Sequence, residues 1–95
     1  MIRSFKHDLA EDLFMDRITK ATKRFPAELR LIAQRKLQYL NAAISLLDLR
    51  SPPGNRLKAL KAERKGTYSI RINDKWRVVF GWNEGVINVE FIDYH

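Results

Sequence analysis

Two periodicities divide this chain. Between Pro26 and Leu47, apolar residues recur at helical spacing: Leu29, Ala33, Leu37, Leu40, Ile44 and Leu47. A stripe of this kind lies along one face of an α-helix and buries that face on a neighbour. Pro26 suits the first helical position, and Glu28 adds a favourable charge in the first turn. The run SPPGN at 51–55 must stop the helix, because its prolines remove donors and clash with the preceding turn. From residue 56 the period becomes two. Tyr68, Ile70 and Ile72 alternate with Thr67, Ser69, Arg71 and Asn73, and Trp76, Val78, Phe80 and Trp82 alternate with Lys75, Arg77, Val79 and Gly81. After the turn NEG (83–85), Ile87, Val89 and Phe91 continue the alternation. The pattern predicts three consecutive antiparallel strands, each with an apolar face toward the helices.

The first quarter of the chain is less regular. IRSF (2–5) reads as a short strand. Asp8 followed by Glu11 reads as a capping box with aspartate in the place of serine or threonine, and Leu9, Leu13 and Phe14 share one face of the helix that follows. The segment DRITKATKR (16–24) has four basic residues and little apolar periodicity. It is expected to be an exposed loop, with phosphate contact as the other reading. The order strand, helix, long helix and three strands predicts an α+β sandwich in one domain, 1–95.

Composition adds a partner class. Hydrophobic residues make up 45% of the chain and aromatics 11%, which argues for a folded globule rather than a disordered tail. No cysteine is present, and His7 and His95 are far apart, so no metal or cofactor is expected. The absence of an apolar leader or membrane-length run in the sequence fits a cytoplasmic protein with no membrane partner. Net charge is +7, and the basic residues are concentrated: eight fall within 55–77 against two acidic ones, whereas 78–95 contain none. Such a cluster suits a polyanion, nucleic acid being the commonest, although a solvated face is the bland reading.

The strand pattern sharpens that choice. A three-residue loop, Asn73–Lys75, sets Ile72 opposite Trp76 and Ile70 opposite Val78, and therefore sets Arg71 opposite Arg77 on the other face. Like charges directly opposite are destabilising in a sheet. Two resolutions are open: an ion pair from Glu90 on the next strand, or a phosphate held by both guanidiniums. The chain closes on FIDYH, which adds an acid–base candidate in His95, a stacking or hydroxyl group in Tyr94, and a carboxylate in Asp93.

The stretch PPGNRLKALKAERKGTYSIRINDKWRVVF, the N-terminal IRSF and the terminal DYH together resemble the HigB-type toxins of the RelE/ParE superfamily over the whole chain. The resemblance implies a small RelE-like fold, with an N-terminal strand and two helices on a twisted, mainly antiparallel sheet. It implies the toxin of a type II toxin–antitoxin module, a ribosome-dependent endoribonuclease that cuts mRNA in the decoding site without a metal. It also implies a HigA-like helix-turn-helix antitoxin, through which operator DNA becomes an indirect partner. Arg77 matches the family arginine suited to the phosphorane, with Arg71 and Lys61 able to share that role and His95 assigned proton transfer. Arg56, Lys58, Arg64, Lys65 and Lys75 are the further RNA-contact candidates. Two departures stand out: Lys58 replaces a histidine that some members carry before the LK pair, and Ala62 replaces the glycine that often follows it. A ParE-like gyrase inhibitor and a non-catalytic ribosome- or RNA-binding translation blocker are the alternatives.

Overall fold

Three helices and a four-stranded antiparallel sheet make up a computed structural model that describes residues 1–93. The helices are α1 (Asp8–Phe14), α2 (Lys20–Arg24) and α3 (Arg30–Ala42), and the strands are β1 (Lys58–Ala59), β2 (Thr67–Arg71), β3 (Trp76–Trp82) and β4 (Val86–Asp93). The strands lie in chain order. Leu13, Leu37 and Leu40 meet Ile70, Val78, Phe80, Val86 and Val89 in one apolar cluster, with Phe25 set edge-on to Trp76 and Phe91. This is the α+β class that the two periodicities predict. No helix among the described residues is long and apolar enough to cross a membrane.

The N-terminal IRSF is strand-like only at its ends: Ile2 and Phe5 form isolated parallel bridges to Val86 and Val89. The sheet gains a strand that alternation does not reveal, the two-residue β1, antiparallel to β2.

Segment 16–24, expected as a loop, contains α2. Its start is built from side chains: Thr19 Oγ1 accepts from Thr22 N at 3.3 Å, and Thr22 Oγ1 accepts from Thr19 N at 2.8 Å. The buried Asp12 carboxylate then accepts from Thr19 Oγ1 at 3.0 Å and from Arg17 at 3.3 Å. The reciprocal cap satisfies donors that a short helix otherwise leaves open.

The long stripe also ends early. A 3₁₀ turn at Ala27–Leu29 precedes α3, which finishes at Ala42. Leu29, Ala33, Leu37 and Leu40 are buried, but Ile44 is 90% exposed and Leu47 65%. Asp48 is the cause. Its Oδ2 accepts from the backbone N–H groups of Ile44 (2.9 Å) and Ser45 (3.1 Å), capping a new 3₁₀ turn at Leu46–Arg50 instead of letting α3 continue. The same bonds, Ser45 first, hold the Asp48 carboxyl below its ordinary value.

In β4 the alternation changes phase. Register with β3 shifts between Val79 and Gly81, and Asn88 takes a left-handed φ of 54°. This is a bulge, which inserts one extra residue and re-aims the side chains beyond it. Val86 rather than Ile87 therefore reaches the core, and Ile87 lies against Gly81, where a Cβ would approach its Cγ1 to 3.0 Å.

Candidate nucleic-acid interface and active site

The β2–β3 hairpin places its arginines in the predicted register, with Arg71 opposite Arg77. The turn is shaped by Asn73, whose Oδ1 accepts from the backbone N–H groups of Lys75 (3.0 Å) and Trp76 (2.7 Å). The two guanidiniums then take different partners. Arg71 pairs with Asp74 in the turn. Arg77 Nε donates to Ser69 Oγ at 2.8 Å, and its Nη2 donates to the Arg56 carbonyl at 2.8 Å. One head points into the turn and the other is drawn across β2. Glu90 stands opposite Val79 and pairs with Lys6 (3.1 Å) and Arg64 (3.6 Å).

Ser69 is fully buried, yet alternation puts it on the same sheet face as Arg71 and Arg77. Arg56 presents its carbonyl because it adopts a left-handed conformation, φ 46°, directly after the 3₁₀ turn Pro53–Asn55. The Ser69 hydroxyl and the Arg56 carbonyl are neutral acceptors that fix the direction of the guanidinium. At the same end of the sheet, Asp93 lies opposite Trp76 with its carboxylate 3.7 Å from Lys75 Nζ. Tyr94 and His95 lie outside the described residues.

The other candidates spread along the sheet. Lys58 stands opposite Ser69 across β1 and β2 and is exposed. Lys61, Arg64 and Lys65 flank the turn before Thr67, at the far end of β2 from Arg71, roughly 13 Å away at the usual rise per residue. Lys58, Lys61 and Arg64 line a groove of about 280 Å³. Arg64 also borders a second groove of about 450 Å³ with Lys6, Thr67, Val79, Asn88 and Glu90. Thus Arg71, Lys75, Arg77 and Asp93 come together at the hairpin end, with the Arg56 backbone beside them. Lys61, Arg64 and Lys65 instead form a separate basic wall. Among the described residues no group of three or more histidine, cysteine or carboxylate side chains could hold a metal ion.

Three contributors were not singled out from the sequence. Ser69 was visible only as a polar position in the alternation. Asn55 and Lys36 are the others: both are buried, and Lys36 Nζ donates to Asn55 Oδ1 at 2.6 Å. Burial, then Arg71 and Arg35, push the Lys36 ammonium below the usual lysine range. No local signal separates Lys36 from the solvated basic residues of α3.

Comparison with known proteins identifies the family. The family model described as RelE-like toxin of type II toxin-antitoxin system HigB matches residues 3–95. The chain is 37% identical over 95 residues to Toxin HigB-1 of Vibrio cholerae, covering all of this chain and 98% of that protein. It is 32% identical over 98 residues to Endoribonuclease HigB of Proteus vulgaris, covering both chains in full. An uncharacterised protein of Haemophilus influenzae is 33% identical over 72 residues, spanning 76% of this chain and 71% of its own. A match of this length, over a fold of this class, places the chain in the HigB family of RelE-like toxins from type II toxin–antitoxin systems.

Proposed function

We propose that this toxin is an endoribonuclease that cuts mRNA on the ribosome, in the decoding site, and so stops translation. The observation that carries the reading is Arg77: its guanidinium is held from behind by Ser69 and the Arg56 carbonyl, on a face lined with cations. The relative named Endoribonuclease HigB supports the reaction class.

Cleavage by this route uses the RNA's own nucleophile and no metal. The ribose 2′-oxygen loses its proton to a base and attacks the adjacent phosphorus. The bond from phosphorus to the 5′-oxygen then breaks, and that oxygen takes up a proton. The products are a 2′,3′-cyclic phosphate and a 5′-hydroxyl. Negative charge grows on the phosphorane, and a pre-positioned guanidinium stabilises it more than the ground state. Arg77 supplies that charge, with Arg71 and Lys75 at the same end of the sheet. We assign Asp93, beside Lys75, the role of base or orienting group, and His95 the remaining proton transfer. Arg56, Lys58, Lys61, Arg64 and Lys65 track the neighbouring phosphates. Lys58 adds charge there.

The partners follow. A type II module supplies an antitoxin, to which we assign a helix-turn-helix domain that represses the operon on operator DNA. Ribosome and mRNA as substrates place the toxin in the cytoplasm.

Primer extension on a defined mRNA, with and without purified ribosomes, tests the reading. Wild-type protein should produce new ends within codons only when ribosomes are present, and Arg77→Ala should abolish them while remaining soluble and folded. Blocked translation without new ends would favour a non-catalytic ribosome- or RNA-binding blocker. No effect on translation would turn attention to gyrase.

A further inference from the structure

Lys36 is out of place by ordinary rules. It sits in the middle of α3 and is only 9% exposed, and no carboxylate of the described residues lies within ion-pair distance of it. Its visible partners are neutral: Asn55 Oδ1 at 2.6 Å and the Tyr39 ring, whose centroid is 5.7 Å away. Burying a charge against neutral groups is unfavourable, and an apolar side chain of similar length would avoid the cost.

The arrangement beyond Asn55 supplies a reason. Asn55 is fully buried and its amide is bonded at both ends: Nδ2 donates to the carbonyls of Leu49 (3.1 Å) and Ser51 (3.2 Å), while Oδ1 accepts from Lys36. The next residue, Arg56, is held in the left-handed region, which a side-chain-bearing residue keeps only where its surroundings over-determine it. It is this conformation whose carbonyl receives Arg77 Nη2 at 2.8 Å. One buried hydrogen bond, one strained residue and one further hydrogen bond therefore link α3 to the guanidinium on β3.

We infer that Lys36 is a positioning residue for Arg77: by clamping Asn55 it fixes the Arg56 carbonyl, which aims the guanidinium at the scissile phosphate. The catalytic half of the inference rests on the endoribonuclease reading, whereas the structural half does not. Lys36 is assigned no substrate contact, and its effect on Arg77 passes through the loop that carries Asn55 and Arg56.

The test compares wild type with Lys36→Met, Lys36→Gln and Lys36→Arg by two readouts. NMR of the arginine side chains measures rotation about the Arg77 Nε–Cζ bond, which the Arg56 carbonyl restrains. Single-turnover cleavage on mRNA-programmed ribosomes is measured beside the affinity for those ribosomes. Lys36→Met should speed that rotation and slow cleavage, each by about tenfold or more, with ribosome affinity within about twofold of wild type. Exchange of the core amide of Phe80 should stay slow in the same sample. Lys36→Arg, which keeps a charged donor, should recover most of both losses. If Lys36→Met does not fold, Lys36→Gln carries the comparison. Unchanged Arg77 rotation in a folded variant overturns the inference. Losses that appear only together with faster Phe80 exchange overturn it as well, because they mark a merely structural role. A wild type that cuts nothing sinks the endoribonuclease reading, and Arg77 rotation still decides whether Lys36 positions it.

Discussion

The resemblance leads to glycine at position 62, and the geometry of Ala62 shows what that exchange entails. Ala62 has a φ of 56°, inside the left-handed region. An L residue there brings its Cβ close to the neighbouring carbonyl, at about 1–2 kcal/mol. Glycine removes the clash but frees the unfolded chain, which takes back about 0.4–1 kcal/mol. Nothing else is lost, because Ala62 is exposed. The backbone bonds of its turn, Arg64 N to the Lys61 carbonyl at 3.1 Å and Lys65 N to the Ala62 carbonyl at 3.0 Å, do not involve the methyl group. Ala62→Gly should therefore stabilise the protein by about 0.5 kcal/mol, which for a domain of this size raises Tm by roughly 2–4 °C. Ala62→Val, β-branched at the same φ, should lower it. Thermal melts followed by circular dichroism, with urea midpoints as a check, measure both. A glycine variant that melts at or below the wild-type temperature would refute the strain argument, and more decisively if the valine variant melted higher.

Two further outcomes are expected. Ser69→Ala removes the 2.8 Å acceptor of Arg77 Nε but leaves the Arg56 carbonyl in place; with charge-assisted bonds worth about 1.5–3 kcal/mol, cleavage should fall about tenfold and the melting temperature by several degrees, the protein remaining folded. Wild-type cleavage by Ser69→Ala would show that Arg77 needs no such anchor. Asp48 has its folded pKa below the ordinary 3.8, so the stability it adds is present above that value and is lost as pH falls through the folded one. The urea midpoints of wild type and Asp48→Asn should differ at neutral pH and converge below 3.8; a gap that persists undiminished in acid would contradict the assignment.

Much of the hairpin was legible in advance. The Asn73–Lys75 loop and the alternation on either side define the Arg71–Arg77 register, and both are local signals. The middle of α3 was equally plain, since Leu29, Ala33, Leu37 and Leu40 are buried as the stripe requires. Three of the misreadings share one cause. At α2, at the end of α3 and at the β4 bulge, a polar side chain or a left-handed residue overrides the apolar period. Thr19 with Thr22 starts a helix that has no stripe, and Asp48 ends one whose stripe continues. Asn88 shifts the phase of β4 so that Val86 takes the place expected for Ile87. Such overrides depend on single groups finding partners, which a window of hydropathy does not record.

The sequence by itself determined the fold class, the hairpin register, the family and the concentration of cations. These are encoded by periods of two and four residues, by turn residues and by a run of motifs. Only the tertiary structure decided where each cation points. Arg77 takes its direction from groups 8 and 21 residues away, and Lys36 meets Asn55 across 19. Arg71, opposite Arg77 on the adjacent strand, turns to Asp74. A guanidinium on a long side chain has many rotamers of similar energy, so its aim is chosen by the hydrogen bonds that the folded chain brings within reach.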